Sequence, residues 1–107
     1  MAITAKRFVN SALTGASVTY YTANGVKAQI QAMTITNSTG GAVACTVHLV
    51  PSGGSPDNSN IIVSARSIAA GESYLALEAI GQYLEPNGTI RALGNGLTMV
   101  ASGVEIT

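Results

Sequence analysis

Val43-Ala-Cys-Thr-Val-His-Leu-Val50 is the stretch on which the fold turns. On an extended chain Val43, Cys45, Val47 and Leu49 fall on one side, with Ala44, Thr46 and His48 on the other. Helical backbone would scatter the same residues around an axis. β-Branched side chains are also stiff at χ1 and favour a pleated surface. The stretch therefore reads as a β-strand that turns Val43, Val47 and Leu49 toward a core.

The same vocabulary continues outward in both directions. Thr, Val, Ile and Tyr fill the segments, and Gly, Asn, Ser and Pro interrupt them at roughly the 8–12-residue spacing of all-β sandwiches and barrels. Upstream, residues 27–37 form a long strand whose apolar parity switches from Ala28 and Ile30 to Met33 and Ile35. A β-bulge near Ala32 would keep both sets on the core face. Residues 17–22 form a strand that sends one of Tyr20 and Tyr21 inward and the other outward. Residues 3–9 read as an edge strand or an extended arm.

Downstream, Pro51–Asn60 carries no periodicity. Strands follow at 61–64, extendable to Ile68, and at 72–77, with Leu75 and Leu77 on one side and Tyr74 on the other. Glu78–Gln82 suits a helical turn, after which Tyr83-Leu84 packs back. The last strands are 89–93 and 97–106, the latter with Val100, Ser102, Val104 and Ile106 on one face. Asn24-Gly25, Asn87-Gly88 and Asn95-Gly96 suit tight hairpin turns, because both residue types tolerate positive φ. The expectation is one all-β domain over residues 1–107, with residues 1–10 as an N-terminal arm or edge strand. Its architecture would be an antiparallel, jelly-roll-like β-sandwich of about eight strands.

Composition narrows the function. Apolar residues make up 47% of the 107, enough for a core, while only 9% are charged, five basic against five acidic. That balance excludes a basic nucleic-acid glove and argues against disorder. It also leaves little electrostatic protection against self-association, as expected of a chain built to be assembled. A homo-oligomer is expected, with a trimer the first choice. No run approaches the ~18 apolar residues of a membrane helix. The opening Met-Ala-Ile-Thr-Ala-Lys-Arg lacks the apolar core of a signal peptide. Neither a membrane nor a nucleic acid is therefore an expected partner. Asn37-Ser38-Thr39 and Asn87-Gly88-Thr89 fit the glycosylation pattern but read as turns.

The residues available for chemistry are few. His48 is the lone histidine, and a nucleophile–base pair would need it with Asp57 and Ser52 or Ser55. No Gly-x-Ser-x-Gly elbow accompanies it, and a half-exposed histidine on a strand is the plainer reading. Cys45 alternates with valines, as a small core residue does. One His and one Cys cannot form a Cys/His zinc site. Asp57, Asn58 and Asn60 offer oxygens for calcium but lack the spacing of an EF-hand loop. No catalytic residue, cofactor or metal is assigned, and the chain is read as a non-enzyme. Candidate interface residues are Lys6 and Arg7, as a charged rim, with Phe8 as the anchor of the arm and Tyr21 as an outward ring.

Several segments carry a family resemblance. They are Met33–Gly54, Ser67-Ile-Ala-Ala-Gly-Glu-Ser73, Gly81–Ala92 and Ala101-Ser-Gly-Val-Glu-Ile-Thr107. Their layout is a Thr-Asn loop, a Leu-Val-Pro-Ser-Gly-Gly corner, an Ala-Gly turn and a Gly-Val-Glu end. Together they resemble small virion structural proteins of tailed bacteriophages. The resemblance implies a β-sandwich on the capsid as a decoration or cement protein. Its partner would be the major capsid protein, and its location the virion after synthesis in the bacterial cytoplasm. A neck, tail or baseplate component is the first alternative. A host- or carbohydrate-binding module is the second, and would need a patch of exposed aromatic rings.

Overall fold

A computed structural model describes residues 2–107. Among the described residues nine strands are present: β1 (Ile3–Ala12), β2 (Val18–Thr22), β3 (Lys27–Asn37), β4 (Val43–Val50), β5 (Ile61–Ile68), β6 (Ser73–Leu75), β7 (Tyr83–Leu84), β8 (Thr89–Leu93) and β9 (Leu97–Ile106). A single 3₁₀ turn, Leu77–Ala79, separates β6 from β7. One sheet has the order β1-β9-β3-β6, with β7 also paired to β3, and the other has β2-β8-β4-β5.

The order has a simple origin. β6 and β7 lie along the same strand, β3, and act as two halves of one edge strand. The pairs β1·β9, β2·β8, β3·β6/β7 and β4·β5 are all antiparallel and nested. The chain is thus one long hairpin, turned at Pro51–Asn60 and rolled into two sheets, which is a jelly roll. The three Asn-Gly pairs do not close hairpins. Each lies where the chain passes from one sheet to the other, between β2 and β3, β7 and β8, or β8 and β9. Gly25 and Gly96 there have φ of 72° and 92°, and Asn87 itself sits at 67°. The Asn87 side chain accepts from the Gly25 N–H at 3.2 Å, joining two of these crossings.

The core lies between the sheets. Cys45 and Val47 are fully buried, and Val43 and Leu49 pack against the core from its margin. β3 has its register shift between Ile30 and Ala32, so Ala28, Ile30, Met33 and Ile35 all face inward. Across β9 from that bulge is a second one, between Arg7 and Val9 of β1. Gly103 lies level with both, opposite Lys6 on one side and Ile30 on the other. A Cβ at Gly103 would collide with the Gln29 carbonyl and the Phe8 ring.

The structure orients two faces that the sequence left open and corrects one further expectation. Val100 shares a face with Ser102 and Val104, but that face looks outward and Val100 is 43% exposed. The core side of β9 is Leu97, Met99, Ala101 and Gly103, with small residues where the ring of Phe8 needs room. Leu75 and Leu77 point to solvent, and Tyr74 is the one that packs on the core. Tyr20 and Tyr21 both turn inward, because the β2 ladder shifts register between Thr19 and Tyr21.

Asn37 is fully buried and fully bonded. Its amide donates to the Gly41 and Ile68 carbonyls, both at 2.8 Å, and its oxygen accepts from Thr39 N–H and Oγ1. The glycosylation pattern there is a loop pin between β3, β4 and β5. At the far end of the first sheet, Ala2 and Thr107 exchange backbone hydrogen bonds of 3.0 and 2.9 Å.

Candidate interaction surfaces

The two lateral sides of the sandwich are stapled differently. On one side the β1 edge lies beside the β2 edge. Phe8 and Tyr21 stack there at 4.3 Å between ring centroids, and the Tyr20 hydroxyl donates to the Ala12 carbonyl. The Tyr21 hydroxyl donates to Glu105 at 2.5 Å, and Glu105 pairs with Lys6 at 3.4 Å. Burial, then the hydrogen bond and charge of Glu105, hold the Tyr21 phenol well above its usual pKa. Phe8 and Tyr21 are therefore core residues of this chain, 6% and 8% exposed. This replaces the picture of Phe8 as an intermolecular anchor and Tyr21 as an outward ring. Lys6 and Arg7 are exposed, on an open groove of about 430 Å³ shared with Gln31, Val100 and Ser102. Residues 3–12 are an edge strand, with their outer ladder groups free of any sheet partner among the described residues.

On the opposite side β5 faces β6 and the 3₁₀ turn. The Arg66 guanidinium lies 4.5 Å from the Tyr74 ring centre, and the Tyr74 hydroxyl donates to the Glu78 carboxylate at 2.5–2.6 Å. Burial raises the Tyr74 pKa, helped by that bond, and the same bond lowers Glu78. The turn is firmly held. Ala76 N–H donates to Met33, and Gly81 N–H to Ile30, at 3.0 and 2.7 Å. Ala76 and Ala79 are buried beneath it. On this fixed platform Leu75, Leu77, Ile80 and Tyr83 stand 61%, 69%, 45% and 57% exposed. Beside Tyr83 runs an open groove of about 320 Å³, lined by Leu49, Ile61, Ile62 and Gln82 among others. Residues 75–83 thus hold four of the seven large apolar side chains that the described surface exposes. In the sequence Leu75 and Leu77 share a side opposite Tyr74, and nothing local says which side is exposed.

The outer face of the second sheet carries the polar candidates. His48 lies opposite Arg91, and Val50 opposite Thr89. His48 is buried, against the half-exposed position expected for it, and its Nδ1 makes no hydrogen bond within the described chain. The same holds for Thr89 Oγ1 and Arg91 Nε. Asp57 does not orient the histidine by hydrogen bond. Its carboxylate accepts from Ser59 N–H and Oγ at 2.8 and 2.5 Å, which lowers its pKa, with a smaller contribution from the charge of His48. Asn60 binds Asp57 N–H and the Ser55 carbonyl, so the loop oxygens serve the loop itself. No group of three or more metal-ligating side chains occurs among the described residues. Cys45 is buried among apolar neighbours, and burial pushes its thiol up to about 11. No helix of the described chain is long and apolar enough to cross a membrane.

No family model matches the sequence, and no curated protein matches it. Among solved structures the chain is similar to one from the structure of infectious bursal disease virus, Gx strain. The TM-score is 0.52 at 13% identity, over 98% of this chain and 32% of that one. This chain therefore spans about a third of its neighbour's length (32%). What the two share is the fold.

Proposed function

We propose that the chain is a non-enzymatic structural component of a virus particle, and specifically a capsid decoration or cement protein of a tailed bacteriophage. The observation that carries the particle role is a jelly roll that matches, over nearly its full length, a chain from a virus structure. The phage assignment rests on the sequence resemblance. A surface of low charge and an exposed apolar corner support an assembled state.

The mechanism is area burial. A standard interface buries about 1,600 Å² in total, and a small outer protein touching several shell subunits can make more than one. Binding the assembled shell better than free subunits stabilises it by mass action. β1, with its free edge and the exposed Lys6 and Arg7, supplies a strand able to extend a neighbour's sheet. Partners are the major capsid protein and further copies of the chain.

The test is to purify particles from an infection in which this chain carries an epitope tag. The tag is expected in full particles at fixed stoichiometry and, by electron cryomicroscopy, on the head surface. Density at the neck, tail or baseplate would move it to the alternative location. Absence from purified particles would overturn the particle role.

A further inference from the structure

We infer that Asn95 is a site of spontaneous covalent modification, converted to aspartate and isoaspartate through the backbone nitrogen of Gly96, and that the Asn87 side chain guards Asn24 against the same reaction. The reaction belongs to the folded chain itself, whatever the chain assembles with.

An asparagine followed by glycine is open to this chemistry because glycine has no side chain to shield its backbone nitrogen. The Gly96 nitrogen attacks the Asn95 side-chain carbonyl carbon. The N–Cγ bond forms, the Cγ–Nδ2 bond breaks, and ammonia leaves with the proton that the Gly96 nitrogen gives up. Water then opens the five-membered imide at either carbonyl, giving aspartate or isoaspartate, and nothing is oxidised or reduced. A glycine N–H that already donates a hydrogen bond must surrender it before its nitrogen can attack.

The three Asn-Gly pairs differ on that point. Gly88 is buried, and its N–H donates to the Glu85 carbonyl at 2.9 Å. The Asn87 N–H is also held, by the Ala23 carbonyl at 2.6 Å. Asn24 and Gly25 are exposed, but the Gly25 N–H donates to Asn87 Oδ1 at 3.2 Å. That acceptor is remote in sequence and reaches Gly25 only in the fold. Asn95 and Gly96 are exposed as well, and the Gly96 N–H donates to no group of the described chain. The turn around them is closed from outside the reacting pair, by Leu97 N–H to the Gly94 carbonyl at 3.0 Å and Gly94 N–H to Thr14 at 2.8 Å. Asn24 and Asn95 are otherwise matched, since each precedes a glycine in the left-handed region, with φ of 72° and 92°. One hydrogen bond therefore ranks them.

The product alters the molecule. Conversion places a negative charge on a chain with no net charge. Isoaspartate also lengthens the main chain by a carbon just before Leu97, which is fully buried. The turn has little slack there, because a Cβ at Gly96 would already lie 2.7 Å from the Thr39 methyl group.

The experiment follows the isolated protein by peptide mass spectrometry during incubation at neutral pH and physiological temperature. The same chain unfolded in guanidinium chloride is the reference, in which all three pairs should convert at similar rates. In the folded chain Asn95 should convert first and Asn87 last. Asn24 should lag Asn95 by at least about threefold, the low end of what one hydrogen bond is worth. Asn87→Gly removes the acceptor but keeps a residue at ease with positive φ. It should speed Asn24 by that factor and leave Asn95 unchanged. Asn87→Asp keeps an acceptor oxygen and should hold Asn24 at its parent rate. Asn95 staying intact while the unfolded chain converts would overturn the inference, as would Asn24 keeping pace with Asn95 in the parent. So would an Asn87→Gly chain in which Asn24 is not accelerated, or in which Asn24 and Asn95 are accelerated equally.

Discussion

At Gly103 the missing Cβ lets the Gln29 carbonyl and the Phe8 ring close on the β9 backbone. Gly103→Ala must displace a strand or a buried ring, and overpacking of this kind costs typically 1–3 kcal/mol, with backbone collision at the upper end. We expect a loss of about 3 kcal/mol in urea unfolding, and near-parent stability would mean that Phe8 packs elsewhere. Asn37→Ala tests a different force. It removes the buried amide donor of the Ile68 carbonyl, while the exposed Gly41 carbonyl keeps Thr39 Oγ1 as a donor. An unmet buried group costs about 1–3 kcal/mol, so a loss of about that size is expected. The same variant should loosen the Asn37–Gly41 loop, read as faster amide exchange at Thr39, whose N–H bonds the Asn37 side-chain oxygen. Val47→Asp places an unpaired charge in the fully buried centre of β4 and should abolish a cooperative melt.

At the scale of elements, β1 takes the edge-strand reading of the two that the sequence left open. As an arm it would be dispensable to folding. As found, it contributes Phe8 and Val9 to the core and its whole inner ladder to β9. Deleting residues 2–9 is therefore expected to unfold the domain, seen as loss of the thermal transition, and a folded truncated chain would restore the arm. The β3 bulge was legible because the apolar parity of Ala28, Ile30, Met33 and Ile35 breaks within the strand itself. The β2 bulge was not, since Tyr20 and Tyr21 are equally apolar and nothing local marks the slip. Asn-Gly declares a turn but not its destination, so the crossings between sheets looked like hairpins. The alternation of Leu75 and Leu77 with Tyr74 was legible, but which side faces the core was not. Tyr74 packs on the core and lies under Arg66 of the opposite sheet, contacts that are remote in sequence. The outward set on this corner could be found only once β5 and β6 were placed side by side. For the same reason Lys6 was legible as a surface charge, while its partner Glu105 was not.

For the molecule as a whole, pH reports on the interior. The Tyr21 phenol and the Cys45 thiol both have folded-state pKa values above their unfolded ones, so the native chain keeps protons that the unfolded chain has released. Their contribution is complete below the unfolded values, about 8.5 for a thiol and about 10 for a phenol, and is lost as pH rises through the folded values. For Cys45 the folded value is about 11. Melting temperatures should hold between pH 7 and 8 and fall steadily above about pH 9. Tyr21→Phe should flatten the upper part of that fall; an unchanged slope would place the Tyr21 hydroxyl in water. The buried thiol also serves as a clock. Alkylation of Cys45 at neutral pH should proceed only as fast as the domain opens, accelerating with urea in step with unfolding.

The paired ends of the chain have a mechanical consequence. Ala2 and Thr107 hold each other at one end of the β1–β9 ladder. Tension applied through both ends would peel that ladder apart one bonded pair after another, like a zipper, instead of straining all its bonds together in shear. Forced unfolding is governed by the unfolding barrier along the direction of pull, and peeling offers a low one. A molecule tethered by its two ends would yield at β1 under small forces. One gripped across its broad sheet faces spreads the same force over every strand.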